Sequence, residues 1–218
     1  MNELIKRIYT SVFLISIFLI ALYYKAFLLV ILIFCTYQIF YELFNLLKNL
    51  FIKKKRINLY LLLIFSLVLL FFINISIWIN INSSNILDKI YLFLLISISI
   101  TTDIGGYLFG KIFKGKKLTK ISPKKTVSGA IGSLILGVLT VFLLFNFFLK
   151  EFYIQSILVG LITSLACQLG DLFFSFLKRK AKLKDTGNFL PGHGGILDRL
   201  DGIYLGIPIG MISITLLF

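Results

Sequence analysis

The sequence predicts an all-α fold, a polytopic integral membrane helical bundle of about seven transmembrane helices, and three observations carry that prediction. Of the 218 residues 59% are hydrophobic and only 15% are charged, and the mean hydropathy is +0.99; a soluble globule of this length needs far more polar surface. Several apolar runs exceed the roughly 18 residues that a helix needs to cross a bilayer core. The connections between those runs alternate in charge, as the topology of an inserted chain requires.

In chain order the expected spans are 8–22, 26–47, 57–81, 86–110, 127–149, 152–177 and 203–218, of which the first and last are short for a full crossing. Lys6 and Arg7 precede the first run, but no small-residue cleavage site follows it, so the run reads as an anchor and not as a removable signal. One side of the membrane receives Lys6 and Arg7, then Lys48, Lys53, Lys54, Lys55 and Arg56. It also receives Lys111, Lys114, Lys116, Lys117, Lys120, Lys124 and Lys125, and finally Lys178, Arg179, Lys180, Lys182, Lys184 and Arg199. Lys25, Lys89 and Lys150 are left for the other side, a split of 20 to 3. The positive-inside rule then makes the N-terminus and the long loops cytoplasmic and the C-terminus external.

With three prolines and no Gly/Ser-rich stretch, the chain is expected to form one transmembrane domain over 1–218. Its net charge of +14 favours phosphates or anionic lipids as partners. Cys35 and Cys167 lie inside apolar runs and read as packed thiols.

An acid inside a span is costly and points to function by default. Three qualify. Glu42 lies near the cytoplasmic end of its span beside Asn45 and Lys48, where it is expected to reach water and to be structural. Asp103 precedes Gly110 by seven residues and Asp171 precedes Leu177 by six, so each is expected about 10 Å beneath the cytoplasmic surface. Asp171, Ser175 and Lys178 form one polar stripe of the kind that faces a cavity. Gly106 and Gly110, four apart, allow either a close helix crossing or a backbone beside a ligand.

The segment Ser122-Pro123-Lys124-Lys125-Thr126-Val127-Ser128-Gly129 gathers lysines, hydroxyls and a helix N-terminus, all of which favour phosphate. It lacks the glycine spacing of a Walker A loop. The last loop reads Ser175-Phe176-Leu177-Lys178-Arg179, four residues, then Lys184-Asp185-Thr186-Gly187-Asn188-Phe189-Leu190-Pro191-Gly192-His193-Gly194-Gly195-Ile196-Leu197-Asp198-Arg199-Leu200-Asp201. A mere topology determinant needs cations alone, whereas this loop mixes carboxylates, glycines, a proline and the chain's single histidine. Asp198 and Asp201, three apart, suit an oxygen-ligand site for Mg²⁺, and one histidine without cysteine does not suit zinc.

Between Ser175 and Asp201 the sequence resembles the signature of the phosphatidate cytidylyltransferase family, the CDP-diacylglycerol synthases. Asp103-x-x-Gly106-Tyr107-x-x-Gly110-Lys111 and Ser122-Pro123-Lys124-Lys125-Thr126-x-x-Gly129 are similar to further blocks of it, so the likeness runs over residues 103–206. It implies a catalytic core over 101–206 with two basic cytoplasmic loops, preceded by N-terminal helices over 1–100. By the same likeness Asp171 and Asp198 are Mg²⁺ ligands, with room for a second cation. Lys178, Lys184, Asp185 and Arg199 join them as catalytic residues. Asp103, Ser122, Lys124, Lys125, Thr126, Ser175, Arg179, His193 and Asp201 bind substrate. The implied substrates are CTP and phosphatidate, with CDP-diacylglycerol and pyrophosphate as products. The implied setting is a bacterial-type cytoplasmic membrane and a homodimer, without a nucleic-acid partner. The readings left as alternatives are a CTP-dependent polyprenol or dolichol kinase and an ion or anion transporter using Asp103 and Asp171 as relays. The long basic loops and the depth of the acids near one face weigh against the transporter.

Overall fold

The computed structural model describes residues 9, 10, 12–14, 16, 17, 20, 24–50, 56–119, 122–149, 154–191 and 194–218. Six long helices follow one another: α1 Lys25–Leu50, α2 Arg56–Asn82, α3 Ile86–Phe113, α4 Val127–Leu149, α5 Ile154–Lys180 and α6 Leu197–Leu217. All six are long and apolar enough to cross a membrane, so the protein is a multi-pass helical membrane protein. The expected first span, 8–22, falls partly outside the described residues, and its described members are helical.

Four helices run three or more residues further than hydropathy predicts, among them α1, which continues to Leu50 with Lys48 in its last turn. α3 continues to Phe113 and α5 to Lys180, because basic residues in a last turn complement the helix dipole while their stems remain on apolar surface. α6 begins at Leu197, six residues before the apolar run that was expected to start it. Asp198, Arg199 and Asp201 therefore lie on its first turns and not in a loop, Asp198 being an acid at the positive end of the helix. α5 closes with a Schellman arrangement: Leu183 N–H donates to the Lys178 carbonyl at 2.9 Å, Lys182 N–H to that of Arg179 at 3.1 Å, and Lys182 takes φ 58°.

Two compact units emerge, one of residues 1–74 and 177–200, the other of 75–176 and 201–218. In the first, α1 buries Ile39, Glu42, Leu43, Leu46 and Leu47, one stripe at helical spacing. Asn74 Nδ2 donates to Thr36 Oγ1 at 2.7 Å, tying α2 to α1.

In the second unit α3 and α4 cross closely over small residues. A Cβ at Gly105 would stand 2.7 Å from the Gly132 carbonyl oxygen, and one at Gly129 would stand 2.6 Å from that of Gly106. Of the two roles open to Gly106, the structure adopts the helix crossing. Hydroxyls reinforce it: Thr102 Oγ1 donates to Ser164 Oγ at 2.9 Å, Ser133 Oγ to the Thr102 carbonyl at 2.7 Å, and Ser164 Oγ to the Ser133 carbonyl at 3.2 Å. Leu94, Leu95, Ile98, Val141, Phe145, Val159 and Ile214 pack as the apolar core of this unit. Lipid is as apolar as such a core, so close packing and the hydroxyl bonds supply what water exclusion supplies in a soluble protein.

Candidate active site

In the second unit the acids expected at one depth come together. Asp103 lies ten residues before the end of α3 and Asp171 nine before the end of α5, which keeps their depths matched but places both about 14 Å below the helix ends. Lys125 Nζ forms an ion pair with Asp171 Oδ2, Ser175 Oγ contacts Asp171 Oδ1 at 3.4 Å, and the charges of both Asp171 and Lys125 act on Asp103. A Cβ at Gly202 would stand 3.8 Å from Asp103 Oδ1, so the backbone of α6 passes beside this carboxylate.

The loop that supplies Lys125 is folded. Leu118 N–H donates to the Lys125 carbonyl at 2.8 Å, Lys125 N–H to that of Ser122 at 3.0 Å, and Val127 N–H to that of Lys116 at 2.9 Å. Thr126 Oγ1 accepts from Gly129 N–H at 3.1 Å and so caps α4. Ser122 is half-buried and Lys124 exposed.

In the first unit the signature loop winds around carboxylates. Asp198 Oδ1 accepts from Lys178 Nζ at 2.9 Å, while its Oδ2 accepts from Thr186 N–H at 2.8 Å and Gly195 N–H at 3.0 Å. The loop can close this tightly because Gly194 takes φ 86° and pairs in both directions with Leu190. A Cβ on Gly194 would also stand 3.0 Å from Asp198 Oδ2. Lys184, Asp185 and Arg199 are exposed around this knot, and Arg179 Nη1 donates to the Leu183 carbonyl at 3.3 Å. Asp201 starts the return into the second unit and is half-buried. His193 lies outside the described residues.

Glu42 was expected to reach water, and the structure corrects this. It is 2% exposed. Its carboxylate accepts from Thr186 Oγ1 at 2.9 Å, from Ile196 N–H at 3.0 Å, from Leu197 N–H at 2.9 Å and from Gln38 Nε2 at 3.2 Å. The free amides that open α6 attract a carboxylate more strongly than water at the end of α1 does. Sequence reading missed this link with the signature loop, although the cost of an acid in a span was a signal pointing to it.

Residues 51–217 match the Cytidylyltransferase family. A phosphatidate cytidylyltransferase of Rickettsia typhi is 32% identical over 212 residues, 93% of this chain and 88% of that protein.

The chain belongs to the cytidylyltransferase family. A phosphatidate cytidylyltransferase of Rickettsia bellii is 41% identical over 135 residues, 58% of each chain, and one of Synechocystis is 42% identical over 121 residues, 53% of this chain and 40% of that one. In several of these matches the chain thus spans about half the length of the relative.

Proposed function

We propose that the protein is a phosphatidate cytidylyltransferase of the bacterial cytoplasmic membrane, acting at its cytoplasmic face on CTP and phosphatidate. The observation that carries this reading is the near full-length likeness to a relative of that name. The site residues fit the chemistry. A phosphate monoester has a second pKa near 6 and is largely dianionic at neutral pH, so the phosphatidate oxygen needs little help from a base. That oxygen attacks the α-phosphorus of CTP, a new P–O bond forms, the bond from the α-phosphorus to the α–β bridging oxygen breaks, and pyrophosphate leaves.

The obstacle is repulsion between two polyanions, on the order of six negative charges at one centre. Lys124, Lys125, Lys178, Arg179, Lys184 and Arg199 offset those charges as a group, with Ser122, Thr126 and His193 as further phosphate donors. Asp171 and Asp198 fit a Mg²⁺ requirement through the chemistry of their donors: each presents carboxylate oxygen, and each already faces an ammonium group. Among the described residues no three His, Cys, Asp or Glu side chains gather. Mg²⁺ takes one or two carboxylates and completes its shell with water and substrate phosphates. When bound, the ion neutralises charge on the transferring phosphoryl group. A second cation and a homodimer belong to the same reading and rest on the resemblance alone.

The test is incubation of purified protein with CTP, phosphatidate and Mg²⁺. Label on the α-phosphorus of CTP is expected in the lipid product and label on the γ-phosphorus in pyrophosphate. Lipid labelled from the γ position would replace this reading with a lipid kinase.

A further inference from the structure

Glu42 accepts four hydrogen bonds, yet its helix carries none of the signature. Its four partners all donate, as an acceptor-only carboxylate requires. Three belong to the two limbs of the signature loop, Thr186 on the descending limb and Ile196 and Leu197 at the start of α6. The same limbs are tied a second time through Asp198, which accepts from Thr186 N–H and Gly195 N–H. Thr186 is the shared point, its hydroxyl bonded to Glu42 and its amide to Asp198.

The glycines report the same fit independently. A Cβ on Gly195 would collide with Glu42 Oε2 and would lie 2.6 Å from Thr186 Oγ1, and one on Gly187 would stand 3.1 Å from Glu42 Oε1. Two positions of the loop thus lack side chains where the Glu42 carboxylate lies. Ile196 N–H and Leu197 N–H are among the orphan donors of a helix start, so the same carboxylate caps α6 from a different helix.

We infer that Glu42 is a positioning residue for nucleotidyl transfer, pinning both limbs of the signature loop so that Asp198, Lys184 and Arg199 are presented in one fixed arrangement. The inference rests on the activity proposed above for its catalytic consequence, and on geometry alone for the pin. Glu42→Gln keeps the shape but replaces one acceptor oxygen by an N–H₂ that must face a donor. Glu42→Asp keeps both acceptors on a side chain one methylene shorter.

The experiment uses the full chain with Cys35→Ala and Cys167→Ala, and with Asn188→Cys as the probe position on the exposed part of the loop. Glu42→Gln is expected to speed modification of that cysteine by an impermeant maleimide about 10-fold or more, in the manner of a locally opened segment. It should lower kcat by a similar factor per folded protein and raise the Mg²⁺ concentration needed for half-maximal rate. Glu42→Asp should recover part of both effects. Thr186→Val, which removes one bond and leaves the amides on the carboxylate, is expected to fall between, and it carries the test if Glu42→Gln does not insert. Unchanged labelling would overturn the pin. Faster labelling with unchanged kcat and Mg²⁺ dependence would overturn the positioning role. If the unmutated protein formed no CDP-diacylglycerol, the proposed activity would fail while the labelling contrast still decided the pin.

Discussion

Asp198 and Asp171, the two acids that the family resemblance implies as metal ligands, are held in different ways. Asp198 is held mainly by backbone, with two amides of its own loop on one oxygen and Lys178 on the other. Asp171 is held by side chains, Lys125 on one oxygen and Ser175 on the other. A backbone-held carboxylate cannot turn without opening the loop, whereas a side-chain-held one exchanges partners by changing rotamers. The first unit therefore presents a preset acid, and the second an acid whose lysine can move aside for a cation or a phosphate. In the first unit Glu42 completes the preset arrangement; in the second, Asp103 adds a further negative charge beside Asp171.

The largest effects should come from removing these two charges. Asp171→Asn and Asp198→Asn are each expected to lower kcat on the order of 100-fold or more. The comparison between them lies in stability. Asp198→Asn should also lower the thermal unfolding midpoint, since it weakens the bonds that close the loop. Asp171→Asn should leave it near that of the unmutated protein. Equal losses of stability would break the distinction between preset and adaptable acids, and near-normal turnover by Asp171→Asn with an unchanged Mg²⁺ requirement would remove it from the site.

A pair of glycine substitutions gives a smaller effect and a sharper contrast. Gly195→Ala in the first unit drives a methyl into Glu42 and Thr186, and overpacking of this kind costs roughly 1–3 kcal/mol. Gly202→Ala in the second unit meets the Cys167 carbonyl oxygen at 3.4 Å and Asp103 Oδ1 at 3.8 Å, both ordinary contacts. In a helix that change is expected to be neutral or to gain up to about 1 kcal/mol. Denaturation of the two purified variants measures both, and a Gly202→Ala loss as large as that of Gly195→Ala would mean that the loop is no tighter than the helix contact.

How much of this was legible in the sequence follows from what each feature depends on. Span positions follow from apolar runs, and α4 falls on residues 127–149 as expected. The start of α6 was hidden because its first turns are polar, Asp198-Arg199-Leu200-Asp201, and hydropathy does not register a helix that begins outside the apolar slab. The pairing of Asp103 with Asp171 was readable as a shared depth, since rise per residue is fixed. Lys125 as the partner of Asp171 was not, because which of two adjacent lysines turns inward depends on the fold of residues 114–126. The burial of Glu42 is hidden from the sequence for the same kind of reason: 144 residues separate it from Thr186, and sequence distance says nothing of such a contact.

The narrowest contrast compares one substitution at two buried threonines. Thr186 donates its hydroxyl to the Glu42 carboxylate at 2.9 Å, and Thr102 donates its hydroxyl to Ser164 Oγ, a neutral partner, also at 2.9 Å. Valine keeps the shape in both places and removes only the hydroxyl. At Thr186 the lost bond is charge-assisted and leaves a buried carboxylate one donor short, which costs about 1.5–3 kcal/mol. At Thr102 the lost partner is a hydroxyl that retains its own bond to the Ser133 carbonyl, and hydrogen bonds between membrane helices average only about 0.6 kcal/mol. Unfolding of the two variants under identical detergent conditions should therefore give a two- to five-fold larger loss for Thr186→Val. Equal losses would mean that the hydroxyl seam of the second unit holds its helices as firmly as Glu42 holds the signature loop, and the contrast between a pinned loop and a loosely bonded helix crossing would have to be dropped.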